Sequence, residues 1–145
     1  EYSMLAGVFT LAIMVLPLIE RTSEEALLAV PESYREASFG LGAGKLRTVF
    51  RIVLPSAVPG ILAGVILAVG RMVGESAALI FTAGTVPSLP KNLFSSARTL
   101  SVHLYALISE GLYTSEAYAT SLVLLVMVLG INTLSYAIAK KLSKK

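Results

Sequence analysis

Three apolar runs, Tyr2–Ile19, Val58–Ala78 and Glu116–Ala139, dominate the chain. Each comes close to the roughly 20 residues a helix needs to cross a bilayer. Lipid offers nothing to an unpaired backbone N–H or C=O, so only helices and closed barrels span it. None of the runs shows the two-residue alternation of barrel strands. The expected fold is therefore an all-α membrane protein, a polytopic helical bundle with three spanning helices in this segment. Composition agrees: 55% of residues are hydrophobic and 14% charged, against roughly 45–50% and about 25% in soluble domains. Such a chain is not disordered or collagen-like. It has no cysteine and a single histidine, His103, which excludes disulfide chemistry and most metal sites.

Charge gives the orientation. The connection 20–56 carries Arg21, Arg35, Lys45, Arg47 and Arg51, and the tail carries Lys140, Lys141, Lys144 and Lys145. The connection 79–115 holds only Lys91 and Arg98. The positive-inside rule places the first connection and the tail in the cytoplasm and 79–115 outside. The tail lysines suit anchoring to anionic headgroups. No folded basic surface accompanies them, so a nucleic-acid role has no support. The chain opens on Glu1 and enters apolar sequence at once, without a basic n-region or cleavage site. It reads as the C-terminal part of a longer membrane protein, or as a segment cut from one.

Within 20–56, Thr22 followed by Glu25 fits a capping box for a helix over 24–30. Pro31 should end that helix and open another over 32–39. Gly40, Gly42 and Gly44 should break the chain, and 45–53 should form a third short helix before Pro55 and Pro59. In 79–115, Ser95 or Ser96 should cap a helix reaching about Glu110. Its apolar face would be Ala97, Leu100, Leu104, Leu107 and Ile108, with Thr99, His103 and Glu110 turned away. Tyr105, Tyr113 and Tyr118 suit the headgroup level.

The sharpest motif is Glu36-Ala37-Ser38-Phe39-Gly40-Leu41-Gly42, followed by nine residues and then Ile52-Val53-Leu54-Pro55. A short helix with small residues can be approached closely by a partner, and Gly42 allows a sharp turn after it. The spacing resembles the EAA loop of the permease subunits of bacterial and archaeal ABC importers, with Ser38 where a second alanine is usual. The resemblance covers the whole chain. It implies a permease of the type I importer kind, a coupling helix at 32–39, and docking of a separate ATP-binding subunit on Glu36, Ala37, Ser38 and Gly42. It also implies a second permease subunit (a sister chain, giving a heterodimer), an extracytoplasmic binding protein, and a bacterial or archaeal cytoplasmic membrane. No cofactor or covalent catalysis is expected of this chain. Gly40-Leu-Gly-Ala-Gly44-Lys45-Leu46 is not a P-loop: the spacing is wrong and Leu46 replaces Ser or Thr.

The second motif is Gly70-Arg71-Met72-Val73-Gly74-Glu75-Ser76. A charge inside a spanning helix costs on the order of 2.5–3.5 kcal/mol on insertion scales. On one continuous helix, Arg71 and Glu75 share a face and can pair, although Arg before Glu is the weaker order. The stretch is similar to a span of phosphate-specific importers in which an arginine and a glutamate are implicated in transport. Arg71 would present its planar fork to an oxyanion, Glu75 would hold it between substrates, and Ser76 would add a neutral donor. The alternative is an ion pair that only joins helices. Other solutes (sulfate, molybdate, an amino acid), an ATP-independent transporter or channel subunit, and a purely structural membrane partner are the remaining alternatives. Gly60-x-x-x-Gly64 and Gly70-x-x-x-Gly74 fit either a permease–permease contact or packing within one bundle. Asn132 could bond a neighbouring helix.

Overall fold

The computed structural model describes residues 2–111 and 113–143. Glu1, Leu112, Lys144 and Lys145, the last two part of the basic tail, lie outside the described residues. Helices run in the order α1 (Met4–Leu28), α2 (Glu32–Gly40), α3 (Lys45–Thr48), a π-helical turn (Val49–Val53), α4 (Leu54–Gly74), α5 (Ala77–Thr82), α6 (Leu100–Glu110) and α7 (Thr114–Ser143). Among the described residues there is no strand. Among the described residues, three helices are long and apolar enough to cross a membrane: Met4–Leu28, Lys45–Gly74 and Thr114–Leu142. The chain divides into two compact units, one of Glu1–Leu16 with Val69–Thr133 and one of Pro17–Ala68 with Leu134–Lys145.

Two expected breaks are absent. α1 does not stop near Ile19 but runs 25 residues to Leu28. Thr22 caps nothing: its hydroxyl donates back to the Leu18 carbonyl at 2.9 Å. No glycine or proline lies between Ile19 and Val30, and extending a formed helix is far easier than nucleating a new one. The charged end of α1 is held by an exposed Arg21–Glu25 ion pair at 3.3 Å. The second absent break is at Pro55 and Pro59. α3, the π turn and α4 form one continuous helical rod of 30 residues. The π turn explains the passage. The Leu54 N–H reaches back to the Val49 carbonyl, a wider loop just before the proline that cannot donate. Pro59 lies inside α4, as interior prolines of membrane helices can.

In the second unit, Val30, Val53 and Ala57 form the core, with Ala26, Leu27 and Ile61 packed on it. α1 and α4 meet closely at glycines. A β-carbon on Gly60 would stand 2.7 Å from the Ala26 Cβ, and one on Gly64 would stand 2.7 Å from the Thr22 Cβ. The first small-residue motif is thus used inside the chain. Of the second motif, Gly70 faces Asn132 of α7, and Gly74 faces open space. The Asn132 Oδ1 is buried without accepting a hydrogen bond, so the expected interhelical bond from that oxygen is not formed.

In the first unit, Leu79, Ala83 and Val102 form the core, with Leu11 and Ile80 against it. The first turn of α1 leaves backbone donors that no residue of its own helix can meet. Carbonyls elsewhere in the unit meet two of them: Met4 N–H donates to Ser95 and Leu5 N–H to Leu93, both at 3.0 Å. α6 begins later than expected, capped by Thr99, whose hydroxyl accepts from the Val102 N–H at 3.3 Å. Its inward face is also displaced. Ser101 and Val102 are buried, whereas Ile108 is 61% exposed. His103 is half-buried, with Nδ1 3.0 Å from the Arg98 guanidinium.

Candidate functional site

The segment 31–53 is a bracket of two short helices. Pro31 precedes α2 in extended conformation, with φ −55 and ψ 137. Two ties hold this bracket, one to a span and one between its own arms. Arg35 turns back and donates to the carbonyls of Leu27 at 3.0 Å and Val30 at 3.3 Å. Those carbonyls belong to the end of α1 and the residue group just after it, where carbonyls lack helical partners. Arg35 was not singled out in the sequence; a basic residue shortly after a helix-ending proline is the signal that would have found it. The second tie is Ser38. Its hydroxyl is hydrogen-bonded to Thr48 Oγ1 at 2.8 Å, both side chains buried. Thr48 Oγ1 also lies 3.2 Å from the Gly44 carbonyl.

Ser38 sits between the two arms of the bracket. It is not on the open face of α2 but against α3, where its hydroxyl fastens the two helices. Glu36 and Ala37 are exposed. Gly42 has φ +82, the left-handed region glycine favours. The Gly42 N–H donates to Phe39 at 2.9 Å and the Ala43 N–H to Ser38 at 3.1 Å, the paired bonds of a Schellman ending. Gly42 therefore ends α2 and aims the chain into α3. Together Tyr34, Ala37, Ser38, Leu41, Gly42, Ala43, Arg47 and Ile52 surround an open cup of about 500 Å³.

The Arg71 segment also departs from expectation. α4 ends at Gly74, and Glu75 and Ser76 lie in the break before α5. Glu75 is thus not one helical turn beyond Arg71. Its carboxylate accepts from the Ala78 N–H at 3.2 Å, and its backbone carbonyl accepts from the buried Ser101 hydroxyl at 2.6 Å. Ser76 is half-buried, precedes α5 and makes no side-chain cap. The expected Arg71–Glu75 pair is not formed: Arg21–Glu25 is the one ion pair among the described residues. Arg71 is exposed. Among the described residues no cluster of three histidine or acidic side chains could hold a metal ion.

The family described as the binding-protein-dependent transport system inner membrane component matches residues 1–145. The chain belongs to this family. It is 38% identical over 160 residues to the probable ABC transporter permease protein YqgI of Bacillus subtilis, covering 99% of this chain and 54% of that one. It is 35% identical over 148 residues to the phosphate transport system permease protein PstA of Yersinia pestis, covering 97% and 48%. A probable phosphate transport system permease protein PstA of Methanocaldococcus jannaschii is 30% identical over 133 residues, covering 90% and 47%. The chain spans about half the length of these curated relatives. No solved structure matches it significantly. Membership in this family and three apolar helices among the described residues are consistent with a multi-pass membrane protein.

Proposed function

We propose that the chain belongs to the permease subunit of an ATP-driven importer of inorganic phosphate in a bacterial or archaeal cytoplasmic membrane. Segment 31–53 faces the cytoplasm and receives a separate ATP-binding subunit on Glu36 and Ala37. A sister permease completes the path, a binding protein delivers the anion from outside, and lipid surrounds the apolar helices. ATP is hydrolysed in the partner, not here.

The observation that carries this reading is mechanical continuity. Within the bracket α2 is fastened to α3 by Ser38, and the bracket is fastened to the end of α1 by Arg35. α3, the π turn and α4 then form one rod of 30 residues, Lys45–Gly74, with Arg71 in its last turn. A displacement of α2 by the ATPase is transmitted along that rod. At its far end stands a guanidinium with no acidic partner among the described residues. An unpaired planar fork is available to a phosphate oxygen pair in a way a paired one is not. The loss of the Glu75 partner also weakens the reading of Arg71 as one half of an intrachain ion pair. Glu75 and Ser76 shape the break that follows Arg71. Phosphate as the solute rests on the names carried by the relatives.

The test is phosphate uptake by the full-length assembled complex in vesicles, comparing wild type with Arg71→Gln at equal membrane levels and with sulfate in parallel. ATP-dependent phosphate uptake that falls at least tenfold in the variant is expected. Unchanged uptake removes Arg71 from the path. Uptake of sulfate in place of phosphate overturns the solute.

A further inference from the structure

The cup beside α2 is not needed to explain the exposed Glu36 and Ala37, and its chemistry is specific. Its walls come from both arms of the bracket: Tyr34, Ala37 and Leu41 from α2 and its end, Ala43 from the turn, Arg47 and Ile52 from the second arm. Its volume of about 500 Å³ exceeds that of any single side chain, and it opens to the surface. The buried Ser38–Thr48 bond joins the two walls and opposes a sliding of α2 on α3. Leu41 on the rim is 90% exposed and Tyr34 50%. A β-carbon on Gly42 would touch nothing within 4 Å, so this chain leaves the space there unfilled. Arg47 is exposed and has no acidic partner among the described residues. Lys45 and Arg51, also exposed, keep this arm of the bracket basic.

The geometry points to a reciprocal contact: the cup receives an apolar side chain of the ATP-binding subunit, and Arg47 pairs with a carboxylate within one helical turn of it. This rests on the docking reading above and adds to it a socket on the permease side. The occupant follows from two features. The cup is continuous with Ala37 and Gly42 of the docking motif, so whatever docks there lies over it. Its one charged wall residue is a cation with a fork suited to a carboxylate; the other lining residues are apolar, aromatic or glycine, apart from Ser38, whose hydroxyl is already bonded to Thr48. An aliphatic or aromatic residue near an Asp or Glu complements both.

The experiment uses the full-length complex in native membranes. A photo-crosslinking phenylalanine analogue at Leu41 should give a light-dependent adduct with the ATP-binding subunit, and the linked peptide should contain Asp or Glu. Arg47→Glu should lower uptake at least tenfold at equal membrane level, and reversing the mapped acid to lysine should restore it. Adducts confined to permease chains or lipid overturn the inference, as does Arg47→Glu uptake equal to wild type. Ala37→Trp separates this from the docking reading. If Ala37→Trp releases the ATPase while Arg47→Glu changes nothing, only the socket fails. If Ala37→Trp leaves the ATPase bound, the docking reading fails with it.

Discussion

Gly64→Ala should loosen the α1–α4 contact, and its effect can be worked from distances. The new β-carbon would lie 2.7 Å from the Thr22 Cβ and closer still to the Thr22 hydroxyl. Two carbons settle at about 3.5–4.0 Å, so the helices must part by roughly 1 Å locally. Val30, Val53 and Ala57 form the core of the same unit, and contacts opened by 0.5–1 Å lose about a quarter to a half of their attraction. Overpacking of this kind costs about 1–3 kcal/mol. Alanine gains roughly 0.5–1 kcal/mol over glycine in helix preference, so a net loss appears only if the clash outweighs that gain. Each lost 1–2 kcal/mol lowers the folded-to-unfolded ratio by about 5–30-fold. Thermal unfolding of the detergent-solubilised full-length protein reads the effect. Gly74→Ala is the control, because nothing stands within 4 Å of its added carbon. Thr22→Gly in the Gly64→Ala background should recover the loss, since it removes both clashing atoms, whereas Thr22→Ala should recover only part. Equal melting of the Gly64 and Gly74 variants would refute the packing argument.

Gly42→Ala tests the turn. There is room for the methyl group, so the cost is conformational, about 1–2 kcal/mol for a left-handed residue. Trypsin cleavage in the 45–51 arm should accelerate about 5–30-fold in the full-length protein; an unchanged rate would mean the turn is not held at φ +82. Asn132→Leu removes a buried acceptor that makes no hydrogen bond. Its cost should stay below about 0.6 kcal/mol, an average interhelical bond in a membrane protein. A melting drop corresponding to more than about 1 kcal/mol would reveal a partner for the amide.

Of the expected elements, those set by local covalent rules were legible. Pro31 ends one helix and opens the next because its ring forbids the alternative. Gly42 turns because only glycine enters that conformation without strain. The all-α architecture followed from length and hydropathy, since a lipid-exposed backbone has almost no other solution. Three of the misreadings share one cause. Thr22, Pro55 and Glu75 each carry a local signal that a neighbour overrides. Thr22 has a capping box, but the preceding helix runs through it. Pro55 has a breaker's ring, but the π turn before it re-routes the hydrogen bonds. Glu75 has an i,i+4 partner in sequence, but the helix stops first and its carboxylate meets the Ala78 N–H instead.

The sequence by itself determined that this is a helical membrane chain with a basic bracket carrying an EAA-like pattern, because hydropathy, charge asymmetry and residue spacing act along the chain. Tertiary structure alone decided which side chains point where. Ser38 is turned onto Thr48, Arg35 onto the end of α1, and Ser101 onto the Glu75 carbonyl. These pairs stand 10, 8 and 26 positions apart. Nothing in the local pattern selects such partners; they are chosen by which buried polar groups would otherwise lack a hydrogen bond.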